Sequence, residues 1–188
     1  MKMAVLDANV LFSAPVRDYF LHLAELKMFI PKWTEIIHEE WMTSLMKIRR
    51  DISHKSLNAA KIAMNNAFPD ADIAGFDQII TELLLPDTKD RHVLAAAISA
   101  GAGHIVTFNT RDFPKPYLET LGIRPLHPDE FISELIQENS DQCMLAINNQ
   151  SIRLRHPPKS VSEVLSTLKN CGLHNSVDQL KLVIQSKK

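Results

Sequence analysis

Asp7, Glu40, Asp90 and Asp112 are carboxylates set where apolar residues would be expected. Asp7 closes the apolar run of "MAVLDANVLF", which reads as a fully buried strand. A carboxylate carried there is costly unless it is paired, hydrogen-bonded or bound to a metal. Glu40 lies in "TEIIHEEW". At about 100° per residue, Ile36, Ile37, Trp41, Ser44, Leu45 and Ile48 share one helix face. Glu40 falls within about 60° of that face's centre and Glu39 nearly opposite, so Glu40 is directed to the interior or a cleft rim. A Glu snorkelling at the edge of an apolar stripe is the rival account.

In "LPDTKDRHVLAAAI", Asp87 and Asp90 stand at the start of an Ala-rich helix. Capping accounts for Asp87 and competes for Asp90, but Asp90 shares a face with Leu94, Ala97 and Ile98. In "IVTFNTRDFP", Asn109 and Asp112 close a strand, where an Asx turn would serve as well. Together these places supply three or four carboxylates able to converge at one end of a sheet. Converging like charges repel unless a hard divalent cation neutralises them. An oxygen-only set, without Cys or a ligand-spaced His pair, suits Mg²⁺ or Mn²⁺ better than zinc. Such a site activates water and stabilises in-line phosphoryl displacement.

The elements that must position these residues follow from periodicity. Met3 to Leu6 predicts a strand, Ser13 and Pro15 open a helix, and "MFIP" predicts a second strand. Helices are expected over about 34–48, 53–68, 73–82 and 89–100, the last stopped by Gly101 and Gly103. "LLLPD" reads as a brief strand or extended turn, and "HIVTFN" and "IRPL" as further strands. This order predicts an α/β domain with a mostly parallel central sheet flanked by helices. Ligands of such sheets bind beyond the carboxyl ends of the strands, where Asp7 and Asn109 stand. From Asp129 on the chain reads as wholly helical, broken at "RHPPK". The expected organisation is residues 1–130 as the α/β domain and 131–188 as a helical C-terminal extension.

The chain has 188 residues, 45% of them hydrophobic, and a formal net charge of −1, which argues against indiscriminate coating of nucleic acid by a uniformly basic surface. Local basic clusters remain at Lys47, Arg49, Arg50 and Lys55, and at Arg153, Arg155, His156 and Lys159. No apolar run has the length of a membrane span or the form of a signal peptide, so the cytoplasm is the expected location. Cys143 and Cys171 are expected to be free thiols.

"VLDANVLF", Glu40 in "TEIIHEEW", "LPDTKDRHVLAAAI" and "GAGHIVTFNTRDFP" resemble the successive motifs of the PIN domain. Over roughly Met1 to Glu130 the chain is similar to VapC-type ribonuclease toxins of bacterial toxin–antitoxin pairs. "HPPKSVSEVLSTLKNCGL" resembles the C-terminal extension of one VapC subgroup. The resemblance implies a metal-dependent endoribonuclease using Mg²⁺ or Mn²⁺, with RNA as substrate, a cognate antitoxin as partner and a homodimeric state. Asp7, Glu40 and Asp90 fall on the family's three main acidic positions. At the more variable fourth, a Thr-x-Asp pattern in some members, this chain has Asn109, and its acid follows as Asp112.

The resulting expectation makes Asp7 and Asp90 the main metal ligands, supported by Asp112, with Glu40 as ligand or water-orienting base. Asn9, Thr107 and Asn109 support the carboxylates, although Asn9 and Thr107 serve equally as turn or strand-end residues. Arg91, Arg111 and Lys115 flank the motifs as candidate RNA-phosphate contacts or as solvated surface charges. Two other classes compete. One is a catalytically degenerate module binding RNA or protein. The other is a haloacid-dehalogenase-type phosphatase, which needs a second acid where Asn9 stands.

Overall fold

The computed structural model describes residues 1–186. In chain order the elements are β1 (Lys2–Leu6), α1 (Ala8–Phe12), α2 (Ala14–Glu25), β2 (Phe29–Lys32), α3 (Glu35–Ile48), α4 (His54–Ala67) and α5 (Asp77–Ile80). A 3-10 turn, Thr88–Asp90, leads into α6 (Arg91–Ala100), followed by β3 (His104–Val106), α7 (Lys115–Thr120) and β4 (Arg124–Leu126). The remainder is α8 (Pro128–Glu138), α9 (Ser140–Arg153), α10 (Val161–Asn170) and α11 (His174–Ser186). The chain forms two compact units. The first holds Met1–Phe12 and Ile30–Leu126, the second Ser13–Phe29 and the residues from His127 onward.

The first unit is the expected α/β architecture. Its sheet runs β2-β1-β3-β4, with β1–β3 and β3–β4 parallel and Val5 opposite Ile105, itself opposite Pro125. Ala4, Val5, Leu6, Ile105 and Val106 are fully buried, as continuous apolar runs in a covered parallel sheet should be. Helix α6 packs on β1 and β3 through its alanines, which allow close approach. Gly101 then ends it in the left-handed region at φ 63°, a conformation that a side chain would strain. Thr34 and Ser53 cap α3 and α4, accepting from the Ile37 and Ser56 amides.

Two local expectations change, and a third is decided. "LLLPD" takes the second of its two expected forms, an extended stretch with a bend before the 3-10 turn and no place in the sheet. The helix expected over 73–82 shrinks to Asp77–Ile80. The buried face of α3 is Ile37, His38, Trp41 and Met42, whereas Ile36 is exposed and Ile48 is 66% exposed. The rotation follows from His38, which is buried because its polar atoms are satisfied. Its Nδ1 accepts from Trp41 Nε1 at 3.0 Å, and its Nε2 lies 3.2 Å from Asn65 Oδ1.

In the second unit, α2 packs against α9 and α10, and α11 against α8, α9 and α10. Phe20 and Phe131 stack at 6.0 Å, with Phe29 edge-on to both. Asp129 accepts from the Asn175 and Ser176 amides at the start of α11. Ser160 and Glu163 form a capping box on α10 after the "RHPPK" break. Cys143 and Cys171 are free thiols. No helix among the described residues is long and apolar enough to cross a membrane.

Candidate active site

Strand β1 delivers Asp7 to the carboxyl end of the sheet. Its amide donates to the Val106 carbonyl at 3.0 Å, continuing the ladder one residue past the strand. Its own carbonyl accepts from Val10 and Leu11, so the same residue opens α1. The side chain belongs to a residue only 6% exposed, yet it is well satisfied. Oδ1 accepts from the Ala8 amide at 2.6 Å, and Oδ2 from Asn9 Nδ2 at 2.6 Å and Thr107 Oγ1 at 2.7 Å. Thr107 is fully buried, and its hydroxyl also accepts from Asn9 Nδ2 and the Asn109 amide. Asn9 Oδ1 closes the network by accepting from the Phe108 amide at 3.0 Å. Asn9, Thr107 and Asp7 thus form one unit joining the ends of β1 and β3. Burial raises the Asp7 carboxyl above its ordinary range. The bonds from Thr107 and Ala8 pull it back, the Glu40 charge raises it, and His92 lowers it.

Asp90 sits at the junction of the 3-10 turn and α6, making no side-chain capping bond. The cap belongs to Asp87, whose carboxylate accepts from the Lys89 amide at 2.9 Å. Burial, together with the Asp7, Asp112 and Asp87 charges, pushes the Asp90 carboxyl up to about 7. Glu40 comes from α3, with its side chain 41% exposed, and its Oε1 lies 3.1 Å from His92 Nε2. Asp112, in the turn after β3, accepts from Asn109 Nδ2, so these two residues are partners at the fourth position.

Asp7, Asn9, Glu40 and Asp90 line one cleft of about 640 Å³, with Ala8, Phe12 and Trp41 among its walls. Its remaining lining comes largely from the outer face of α3: Ile36, Glu39, Thr43, Ser44 and Lys47. Glu39 is exposed, as its place opposite the apolar face predicts, yet it also lines the cleft. With Ile37, His38, Trp41 and Met42 forming the buried face, Glu39 and Glu40 lie at about equal angles to either side of its opposite pole. Asp112 is outside the lining, but its charge reaches Asp90. Arg91, Arg111 and Lys115 do not line the cleft either. Arg111 and Lys115 are exposed, and Arg91 buries its Nε without a partner among the described residues. The cations that do line it are Lys47 and Lys89. His92 and Lys89 escaped the reading of the sequence, although each is adjacent or nearly adjacent to Asp90 in "TKDRH".

The donor chemistry suits a hard divalent cation. The acids are oxygen donors, and burial together with the neighbouring negative charges raises the Asp90 carboxyl, an effect His92 offsets only in part. Among the described residues no three His, Cys, Asp or Glu side chains are gathered into a ready cage. Asp7 and Asp90 could hold such an ion, with Glu40 in the same cleft and Asp112 outside its lining.

Residues 3–111, more than half of the chain, match the PIN domain, and residues 128–182 match the VapC50 C-terminal domain. The chain belongs to the PIN domain family. A curated relative in Mycobacterium tuberculosis, named "Putative ribonuclease VapC50", is 38% identical over 80 residues, covering 41% of this chain and 47% of the relative. The chain thus aligns with about half the length of that relative. No solved structure matches.

Proposed function

We propose that this protein is a divalent-cation-dependent endoribonuclease, the toxin of a VapC-type toxin–antitoxin pair. The observation that carries the reading is the cleft in which Asp7, at the carboxyl end of β1, meets Asp90 and Glu40 beside two lysines. Parallel sheets bind ligands at that edge. Asp7 and Asp90 would hold Mg²⁺ or Mn²⁺, which when bound would offset their charge and supply an activated water for phosphodiester hydrolysis. Thr107 and Asn9 fix the orientation of Asp7 through their hydrogen bonds. Glu40 orients the attacking water or adds a ligand, and Lys47 and Lys89 hold backbone phosphates. The substrate is single-stranded or loop RNA, whose backbone is open to in-line attack. The protein works in the cytoplasm as a homodimer, and its helical C-terminal unit contributes to binding of the antitoxin or choice of RNA. Incubating the purified protein with RNA tests this reading. Cleavage should stop after exhaustive chelation and return with Mg²⁺ or Mn²⁺, and undiminished cleavage after chelation would refute the cation mechanism.

A further inference from the structure

His92 is 7% exposed and stands on the first turn of α6. Its Nε2 lies 3.1 Å from Glu40 Oε1, across the gap between α6 and α3. Its other ring nitrogen, Nδ1, is buried without a partner among the described residues. A carboxylate can only accept, so Nε2 must carry the hydrogen. In the neutral ring Nδ1 then has a bare lone pair, and the histidine's one strong bond is to Glu40. A buried polar ring left half-satisfied in this way needs a reason. Packing alone does not provide one, since a Leu at this site would bury no orphan atom.

Glu40 is itself a long side chain, 41% exposed on the cleft-lining side of α3, and no other side-chain hydrogen bond holds it among the described residues. Without His92 it would sample several rotamers. Asp7, by contrast, is fixed by three donors.

We infer that His92 is a positioning residue that clamps Glu40 against α6 and holds its carboxylate at the cleft beside Asp7 and Asp90. The inference rests on the nuclease reading above and assigns His92 no contact with RNA. Partners that orient the acids of such sites are commonly worth about 10- to 100-fold in activity or metal affinity. The role requires a donor at the place of Nε2, not an imidazole as such.

The test compares His92→Leu, which fills the space without a donor, with His92→Gln, whose amide can donate from a similar place. RNA cleavage gives kcat and KM, and calorimetric titration with Mn²⁺ alone gives a readout independent of turnover. His92→Leu should lower kcat roughly 10- to 100-fold with little change in KM. It should also weaken Mn²⁺ binding, and His92→Gln should recover most of both losses. On a Glu40→Ala background, His92→Leu should cost nothing further. Equal loss in the Leu and Gln variants, or wild-type behaviour in both, would overturn the inference. Should His92→Leu not fold, His92→Met replaces it under the same criteria. Asp7→Asn serves as the separate control. If it retains full activity, the nuclease reading itself fails, whereas an inactive Asp7→Asn beside a fully active His92→Leu rejects only the clamp.

Discussion

Thr107 Oγ1 donates to Asp7 Oδ2 at 2.7 Å, tying together the ends of two adjacent parallel strands. One hydroxyl makes that bond while accepting from Asn9 Nδ2 and the Asn109 amide, so it is the centre of the network beneath the cleft. Replacing Thr107 by Val keeps the shape and deletes the hydroxyl. The expected cost is about 1–3 kcal/mol of stability, because the buried Asp7 carboxylate loses a donor and the Asn109 amide loses its acceptor. Chemical denaturation measures it, and an unchanged midpoint would show that water replaces the hydroxyl.

Burial and the neighbouring acids both disfavour the charged form of Asp90, and that cost should be visible in the stability of the cation-free protein. Asp90 has its carboxyl raised from 3.8 to about 7. Below about pH 4 both folded and unfolded forms hold the proton, so this group contributes no difference. Between the two values the unfolded chain ionises while the folded one keeps its proton, so stability falls as pH rises toward 7. In EDTA, Asp90→Asn should therefore gain stability over wild type progressively from about pH 4 to about pH 7. Parallel stability curves across that range would contradict it.

Glu40 and Glu39 both line the cleft, but it is Glu40 that His92 bonds. Glu40→Gln should depress kcat strongly, and Glu39→Gln should have an effect closer to that of an ordinary surface change. RNA cleavage by the two variants decides, and equal activities would contradict the assignment.

Lys47 and Lys89 bring positive charge into a cleft whose other charged lining residues are acids. Each should act on an RNA phosphate, so Lys→Ala at either position should weaken RNA binding. The slope of binding against log salt should fall by about one for each lysine removed. Binding measured across a salt series on an Asp7→Asn background, to prevent cleavage, checks this. An unchanged slope would remove the lysines from the RNA surface.

Truncation after Leu126 should give an insoluble or poorly folded fragment. Helix α2, with Val16, Tyr19, Phe20 and Leu23 buried, belongs to the C-terminal unit. Tyr19 donates to the Cys143 carbonyl at 3.3 Å, and Gln150 Nε2 to the Pro15 carbonyl at 2.9 Å. Removing the tail uncovers all of these. A soluble, folded 1–126 fragment would show that α2 needs none of them.

These elements also show what the sequence reveals and what it hides. Asp7 was legible because four apolar residues precede it and a parallel strand is buried on both faces. Asp87 was legible as a cap, and the end of α6 at Gly101, because both are local backbone effects. The face of α3 was not legible. Its burial is set by His38, which is polar by type and inside only because Trp41 and Asn65 satisfy it. The clustering of α2 with the tail helices was equally hidden, since its partners lie more than a hundred residues away. His92 was missed for the same reason, as its bond to Glu40 spans 52 positions. Patterns within a helix turn are written locally, whereas pairings between distant segments are not.

If Asp7 and Asp90 act together at the end of the sheet to cut RNA, neither can be neutralised without losing the reaction. The most direct measurement is the cleavage rate of Asp90→Asn against wild type on one RNA in saturating Mg²⁺, with circular dichroism confirming the fold. The folded variant should lose at least about 100-fold in rate, as for removal of a group acting on developing charge. A folded Asp90→Asn that cleaves RNA as fast as wild type would contradict the joint role of the two acids.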